Sequence, residues 1–441
     1  MKSRSPILLI LMTVIVAVPL LGTFFPLESY LSAPTLSNPL GTPVTPTMAT
    51  MLVLTTLYLI FGLLVLQQPG PAIQTFTRNW FLLAFAVWAI VTAIWAESPA
   101  LSFNRSGRLL ISVLYGMYIA QAFEQRDLFR ILFWSLFAGT VLSVLVTVAA
   151  PGLSWVIDAR GAIRGAYAHK NVLGGVASLA LIISIFCYLA NLAPRGLALL
   201  NVLLSFALLV LSNSITALLA FVFCSSIVVY LRLFGGSSPR DRFSAFVIGG
   251  TLAAGAYLLF SANPTLFNFI QRDFSTLTGR TDIWRFANSM IEMKPILGWG
   301  HGAWDNEVFQ KFTLVELNWT APAAHNTWLD FRLQLGIPGL ILGIICAIMA
   351  VRRVWRAILT SWNNEYLVWL AVLLSQGVRS GTETLFVDPS SVEIFWASLA
   401  IVRLAKINAF SAHLARRQQS SPSPQTSMRS SWARDGGQHL A

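Results

Sequence analysis

The chain has 441 residues, of which 56% are hydrophobic and only 11% are charged, and its formal net charge is +12. A soluble protein carries roughly 25% charged residues, so this composition excludes an ordinary soluble enzyme and indicates a polytopic membrane protein. The positive charge does not indicate a nucleic-acid partner, because basic residues collect on the cytoplasmic loops of membrane proteins. Cys187, Cys224 and Cys346 lie inside apolar runs and are interpreted as small buried hydrophobes.

Apolar runs of about 20 residues are long enough to cross the roughly 30 Å of bilayer hydrocarbon. The first run is too long for the apolar part of a signal peptide and is predicted to be a retained span. The sequence therefore predicts an all-α polytopic membrane protein with about twelve transmembrane helices, near residues 6–25, 49–67, 80–96, 107–123, 128–150, 171–190, 196–212, 214–233, 243–262, 337–359, 365–382 and 392–410.

Arginine and lysine in the connecting segments predict the orientation. If the N-terminus is cytoplasmic, the inside segments hold most of these residues and the short outside loops are poorer in them, which places both termini in the cytoplasm. Four regions follow: residues 1–262 with nine spans and an outer loop at 151–170, a large outer loop at 263–336, three spans at 337–410, and a tail at 411–441. The tail is rich in Ser, Gln and Arg and is predicted to be disordered.

The loop before the sixth span reads "RGAIRGAYAHKN" (160–171) and carries Arg160, Arg164, His169 and Lys170. The predicted topology places this loop on the outer face, where the orientation rule does not require positive charge. These basic residues are therefore candidates for ligand binding.

The large outer loop contains two predicted helices. The stretch "RTDIWRFANSMIEM" (280–293) has apolar residues at helical spacing, and "KPILGWGHGAW" (294–304) is a turn punctuated by Pro and Gly, in which His301 is interpreted as structural. A second helix is predicted to begin near His325 and to end at Gly336, before the next span. Such short amphipathic helices are expected to lie along the membrane surface as a roof over the bundle.

Three motifs resemble the O-antigen ligase and polysaccharide polymerase superfamily, and they look most like its exopolysaccharide-production polymerases. They are "AHKN" at 168–171, the "GR" helix followed by Pro and "LGWGHG", and "HNTWLDFRLQLGIPGL" at 325–340. The resemblance covers most of the chain by topology and roughly 160–340 by motif. It implies a GT-C-like membrane glycosyltransferase of the bacterial inner membrane, with its active site on the periplasmic face and no metal or other cofactor.

The same resemblance implies the substrates. A glycan is taken from an undecaprenyl diphosphate carrier and passed to a sugar hydroxyl, on another lipid-linked glycan in a polymerase or on lipid A core in a ligase. Such an enzyme is expected to work beside other proteins of polysaccharide assembly and export. The shared motifs do not separate the polymerase, which is favoured, from the ligase.

Basic residues of the outer face suit this chemistry because negative charge builds on the departing diphosphate and must be stabilised there. An arginine fork binds phosphate in a bidentate way and keeps its proton. The candidates are Arg164, which lies nearer the span and is preferred to Arg160, together with Arg280, His169 and Lys170. The alternative is that these side chains reach lipid headgroups at the interface. No Asp-x-Asp pair for a metal occurs in the outer loops.

The acceptor hydroxyl requires a base, for which His325 is the first candidate, because a neutral imidazole is available near neutral pH. Asn326 and Asp330 are candidates to orient it, but for Asp330 a position on a helix surface or at the interface is favoured. Alternatively, His325 caps or hydrogen-bonds the following helix. His169 is the rival base.

Aromatic residues crowd the outer loop, and Trp284 and Trp328 are candidates for stacking on sugar rings. An interfacial aromatic belt is the alternative.

Arg379 and Glu383 fall at the outer end of the eleventh predicted span, where they are expected to pair or to line a cavity.

A transporter is the competing class of function. It predicts broken helices at midplane, an inverted repeat or several charges in mid-span. None of these features is clear in this sequence: apart from the basic residues of the cytoplasmic segments, the charged residues cluster at the outer face rather than in mid-span.

Overall fold

A computed structural model describes residues 56, 59–63, 65–67, 69–155, 161–167, 169–234, 238–262, 280–361, 364–387 and 392–420. Arg160, the predicted span at 6–25, most of the predicted span at 49–67 and the tail beyond residue 420 lie outside these residues.

The described part of the chain is nearly all helical and contains no strand; Trp155 and Ile163 form one isolated antiparallel bridge. The helices are numbered here in chain order, without turns shorter than five residues. They are α1 (Pro69–Arg78), α2 (Trp80–Val91), α3 (Pro99–Ala122), α4 (Gln125–Ala149), α5 (Lys170–Leu189), α6 (Arg195–Leu211), α7 (Ile215–Phe234), α8 (Pro239–Ala262), α9 (Arg280–Met293), α10 (Glu307–Leu317), α11 (Thr327–Thr360), α12 (Glu365–Ser380) and α13 (Val392–Ser420).

Five of the described helices are long and apolar enough to cross a membrane: α4, α5, α7, α11 and residues Val392–Leu414 of α13. A sixth is obtained if α1 and the segment Trp80–Ile94, which are bent by 83°, count as one span. The apolar helices indicate a multi-pass membrane protein. The sequence predicts about twelve spans, and several of those runs fall in helices that are short or charged at an end, such as the 16-residue α12, which begins with Glu365 and carries Arg379 in its last turn.

The helices of the bundle pack through small and polar residues as well as large ones. Gly116 of α3 lies so close to α13 that a β-carbon there would come within 2.6 Å of Phe395 O. Asn201 of α6 donates a hydrogen bond of 2.8 Å to Ser184 Oγ of α5. Small residues that allow close approach, and polar residues that bond between helices, are what membrane bundles use in place of a hydrophobic driving force.

One end of the bundle is closed by basic side chains. Arg403 of α13 forms a buried ion pair with Glu365 Oε1 of α12 at 2.5 Å. Its Nη1 also donates to Phe123 O at 3.1 Å, and Lys406 Nζ donates to the same carbonyl at 3.3 Å. These two cations satisfy carbonyl groups at the C-terminus of α3, where the helix itself supplies no partner.

The opposite end carries a roof, formed by α9, the segment 294–306 and α10. The apolar face of α9 packs into a separate hydrophobic cluster, which contains Ile283, Phe286, Ala287, Met290, Ile291, Trp299, Ala303, Trp304, Phe309, Ala321, Ala324 and Leu333. The helix α9 occupies the stretch whose apolar spacing predicts an amphipathic helix, and its buried residues recur every three to four positions as that spacing requires.

The roof is attached to the bundle at a kink in α11. Gly336 has a φ of 69° inside this helix, and Ile337 N donates to Ile296 O of the roof at 2.8 Å. Trp299 N donates to Leu333 O at 2.9 Å on the other side of the kink. A β-carbon at residue 336 would lie 2.1 Å from Ile296 O, so only glycine fits both the left-handed backbone and the close approach.

Candidate functional site

Three side chains from distant parts of the sequence converge on the carboxylate of Glu383, in the segment after α12. Arg280 Nη2 and Asn171 Nδ2 each donate to Glu383 Oε1 at 2.8 Å. His325 Nδ1 lies 3.4 Å from Glu383 Oε2. The side chains of Glu383, Arg280 and His325 are 9%, 16% and 22% exposed, so the cluster is largely withdrawn from solvent and His325 is its most exposed charged partner. We call these four residues the Glu383 cluster.

Helix starts position the partners of Glu383. Arg280 is the first residue of α9, and Asn171 lies in the first turn of α5. His325 has a left-handed backbone, with a φ of 50°, directly before the helix cap of α11. That cap is Asn326, whose Oδ1 accepts hydrogen bonds from Trp328 N and Leu329 N at 3.1 and 3.2 Å.

The first turn of α11 holds the backbone on both sides of the cluster. Thr327 Oγ1 donates to Glu383 O at 2.7 Å and accepts from Leu385 N at 3.1 Å. Asp330, which is completely buried, accepts from Thr384 Oγ1, the neighbour of Glu383. It also accepts from Ala324 N, the neighbour of His325, at 3.4 Å. One carboxylate therefore ties the segment that carries Glu383 to the turn that carries His325.

Asp330 also reaches the roof, because Trp304 Nε1 donates to its Oδ1 at 2.5 Å. The sequence favours a helix-surface or interfacial position for this carboxylate, with the orientation of His325 as the alternative. In the structure its bonds run to the backbone and side chains around His325 and Glu383, and its side chain is not on the surface.

A second ion pair lies behind the cluster. Arg379 Nη1 contacts Glu393 Oε1 at 2.7 Å, and Gln376 Nε2 donates to Glu393 Oε2 at 3.1 Å. The guanidinium of Arg379 lies against α5 at Gly175, where a β-carbon would be 2.4 Å from Nη2. The buried positive charge of Arg379 adds to the field at Glu383.

These charges keep Glu383 ionised. Burial raises the pKa of its carboxyl group, but the hydrogen bond with His325, the positive charge of Arg280, the charge of His325 when it is protonated, and the charge of Arg379 outweigh burial and lower the pKa to about 2. Glu383 therefore carries a full negative charge at any physiological pH, directly between an arginine and a histidine.

The remaining basic candidates lie on the loop before α5 or at its start. Arg164 is half-buried and its Nε donates to Leu153 O at 2.9 Å. His169 is exposed and caps α5, with its Nδ1 accepting from Asn171 N at 3.2 Å. Lys170 is the first residue of α5. His169 and Lys170 thus directly precede Asn171, which contacts Glu383, whereas Arg164 is held against the segment 151–155.

The two tryptophan candidates have different surroundings. Trp284 Nε1 donates to Ala324 O at 2.8 Å, which joins α9 to the turn before His325. Trp328 packs edge-on against Phe331, with ring centroids 5.8 Å apart, and borders the main core.

Asn171 and Thr327 also contact Glu383, although the sequence pattern does not mark either as a site residue, and the pattern around Glu383 indicates only an ion pair or a cavity lining. Asn171 is the last letter of the "AHKN" motif, and Thr327 follows "HN" in the second motif, so both stood inside stretches already singled out. Glu383 was recognisable as an acidic residue beside an apolar run, but its partners lie 103 and 212 residues away in sequence.

A separate buried histidine lies beneath the roof. His301 Nδ1 is 2.9 Å from Ser106 Oγ, and its backbone N donates to Thr92 Oγ1 at 2.9 Å. Arg105 and Asp305 form an ion pair beside it. Burial lowers the pKa of His301 to about 3, and the charge of Arg105 acts in the same direction. The imidazole is therefore neutral at physiological pH and serves as a packing element between the roof and the bundle.

The structure thus defines a multi-pass helical membrane protein with a partly open Arg–Glu–His cluster beneath a helical roof. The family model described as O-antigen ligase matches residues 200–344, which include Arg280 and His325. The chain is also 26% identical, over 293 residues, to "Exopolysaccharide production protein ExoQ" of Rhizobium meliloti (strain 1021). That match covers 63% of this chain and 66% of the relative, just under two thirds of its length.

These two matches bear out the resemblance to the O-antigen ligase and polysaccharide polymerase superfamily that the motifs indicate. Among the residues that the structure describes, no group of three or more His, Cys, Asp and Glu side chains could hold a metal ion.

Proposed function

We propose that this protein is a polysaccharide polymerase that transfers glycan repeats from an undecaprenyl diphosphate carrier to the hydroxyl of an acceptor sugar. The observation that supports it best is the meeting of Arg280 and His325 at one carboxylate, although they belong to different motifs 45 positions apart. A phosphate-binding cation and a proton acceptor are the two groups that this transfer needs from the protein.

The proposed reaction is a single displacement at the anomeric carbon. The acceptor oxygen forms the new C–O bond while the bond from that carbon to the phosphate oxygen breaks. The bonding pair leaves with the diphosphate, where the Arg280 guanidinium stabilises the charge, and the acceptor proton passes to His325 Nε2. The diphosphate is a good leaving group, so no general acid is required.

Arg280 is the stronger candidate for the diphosphate, because it is part of the Glu383 cluster. Its contact with Glu383 uses one nitrogen, Nη2, and a guanidinium has five N–H donors in a planar fork. Other donors can therefore take phosphate oxygens. Arg164, Arg160, His169 and Lys170 remain candidates for the more distant phosphate or for the carrier headgroup.

The orientation belongs to the same proposal. The roof and the Glu383 cluster face the periplasm of the bacterial inner membrane, where glycans on the lipid carrier are available. The end with Arg403 and Lys406 faces the cytoplasm, in line with the preference of basic residues for that side. Other assembly and export proteins would receive the polymer from this face.

An O-antigen ligase, which delivers the glycan to lipid A core, is the second candidate, since the matching family model is described by that activity. Deleting the coding sequence and analysing the glycans separates the two. A polymerase deletion leaves short glycans and no long polymer. Long exopolysaccharide together with uncapped lipid A core would instead establish the ligase.

The site is tested by Arg280→Ala and His325→Ala in the full-length protein. Loss of the phosphate-binding cation is expected to slow transfer by about 10²–10³-fold, and loss of the base by about 10²–10⁴-fold. Arg285→Ala is the matched control, because it removes an arginine from the same helix whose ion pair with Asp282 is exposed to solvent. Unchanged polymer length and amount in stably expressed Arg280 and His325 variants would contradict the assignment.

A further inference from the structure

We propose that Glu383 is the positioning residue of this site: it fixes the tautomer of His325 and holds Arg280 in place before the donor binds. The inference rests on the proposed function for the roles of His325 and Arg280. Its structural basis is that one buried carboxylate contacts both groups through different oxygens, Oε2 for His325 and Oε1 for Arg280.

The contact with His325 determines which ring nitrogen can accept a proton. Nδ1 faces the anionic Oε2 at 3.4 Å, and an ionised carboxylate can only accept a hydrogen bond. The proton of the neutral imidazole is therefore placed on Nδ1, and Nε2 is left with its lone pair. A histidine oriented in this way has its base on the side away from the carboxylate, and the imidazolium that forms after proton transfer is stabilised by the same negative charge.

The contact with Arg280 places the guanidinium before any phosphate is present. An arginine side chain loses considerable conformational entropy when it is fixed. Because Arg280 is already held by Glu383 Oε1, which also accepts from Asn171, less of this entropy is lost when the donor binds. The pair Arg280–Glu383 is electrically neutral in the resting site. The arriving diphosphate adds its negative charge to donors that are already aligned.

Glu383 is itself held firmly enough for this role. Its carbonyl accepts from Thr327 Oγ1 at 2.7 Å, its backbone N donates to Arg379 O at 2.8 Å, and its side chain is 9% exposed. The charged groups that face His325 and Glu383 from the neighbouring elements are Arg280 of α9, Arg379 of α12 and Asp330 of α11. The positive charges of Arg280 on α9 and Arg379 on α12 favour the ionised carboxylate. An ionised carboxylate can only accept the hydrogen bond from Nδ1.

Glu383→Gln tests the inference, because it keeps the size of the side chain and removes its charge. In purified protein in lipid nanodiscs, with a lipid-linked oligosaccharide as donor, we expect kcat to fall by about 10²-fold or more. The acid limb of the pH–rate profile should move to lower pH, because the imidazolium loses its counter-charge and protonates less readily. Binding of undecaprenyl diphosphate itself should change little, because the amide oxygen of this variant can still accept from Arg280 while the site gains one positive charge.

Glu383→Asp and Asp282→Asn complete the comparison. Glu383→Asp retains the charge one methylene further away and should keep the acid limb at the wild-type pH with an intermediate kcat. Asp282→Asn removes the carboxylate of an exposed ion pair on the roof and should behave as wild type. If Glu383→Gln does not fold, Glu383→Asp still decides: a shifted acid limb in this variant would contradict the inference.

The outcomes distinguish the inference from the function on which it rests. Wild-type kcat and an unshifted acid limb in Glu383→Gln would overturn the role of Glu383, while inactive Arg280 and His325 variants would still support the transferase. Weakened binding of undecaprenyl diphosphate, with no change in the acid limb, would support the positioning of Arg280 and overturn the role of Glu383 in fixing the tautomer of His325. Active Arg280→Ala and His325→Ala variants would overturn the proposed function itself.

Discussion

At the scale of single residues, His325 and His301 have opposite environments. His325 is 22% exposed beside a carboxylate, whereas His301 is 2% exposed beside a hydroxyl and near the guanidinium of Arg105. An anion next to an imidazole stabilises its protonated form, and burial next to a cation opposes it. Only the first environment suits the proton acceptor that the proposed function requires.

The low pKa of His301 predicts acid sensitivity of the fold. In the unfolded chain the group protonates below its ordinary pKa of about 6.5, whereas in the folded protein its pKa is about 3. The unfolded state therefore binds more protons between these values, and the free energy of unfolding falls as the pH falls through this window, by at most about 1.4 kcal/mol per pH unit.

Thermal unfolding between pH 7 and pH 4, in wild type and in His301→Gln, measures this contribution. Glutamine keeps a partner for Ser106 and does not titrate, so the variant should lose stability less steeply with acid than the wild type. Asp305, in the ion pair with Arg105 beside His301, is present in both proteins. Its contribution to the pH dependence of stability therefore cancels in the comparison. Equal slopes in the two proteins would contradict the assignment.

At the scale of elements, α11 performs two tasks on either side of its kink. Its first turn supplies Asn326, Thr327 and Asp330 to the site, and the part after Gly336 continues as an apolar helix. The kink lets the roof segment insert its backbone against residues 333–337, so the site is docked onto the membrane span through main-chain hydrogen bonds.

Gly336→Ala is expected to disturb both tasks. The added β-carbon meets Ile296 O, and an L residue at a φ of 69° is strained, so we expect destabilisation of about 1–3 kcal/mol and loss of transfer activity. Gly377→Ala is the control, because a β-carbon at this position in α12 meets no atom within 4 Å. It should leave stability unchanged or raise it by about 0.5–1 kcal/mol. The midpoint of thermal unfolding and the amount of polymer made in membranes are measured for each variant. Equal losses in Gly336→Ala and Gly377→Ala would contradict the close approach of Ile296 O to residue 336.

At the scale of the whole molecule, local pattern predicts the helices and the family, but not the assembly of the site. Apolar length and helical spacing are properties of neighbouring residues, so the spans in the described part and the helix α9 follow from the sequence. Convergence on Glu383 depends on how α5, α9 and α11 pack, and a single sequence carries no distance information between them. The same reason explains why Asp330 looked like a surface residue.

The proposed orientation predicts which end of the bundle is accessible from the periplasm. Lys311→Cys on α10 and Arg195→Cys at the start of α6 place thiols on the roof and at the opposite end, both at exposed positions. The native cysteines among these helices are buried or half-buried, which limits their own reaction with a thiol-labelling reagent. A membrane-impermeant maleimide should label the first variant in intact spheroplasts and the second only after permeabilisation. The reverse pattern would invert the topology and move the site to the cytoplasm.

The hydrogen bond from Trp284 Nε1 to Ala324 O binds α9 to the turn before His325. Arg280 begins that helix, so this bond links the two residues to which the proposed function assigns the diphosphate and the acceptor proton. If those roles hold, a change that separates α9 from this turn would remove both from Glu383 together.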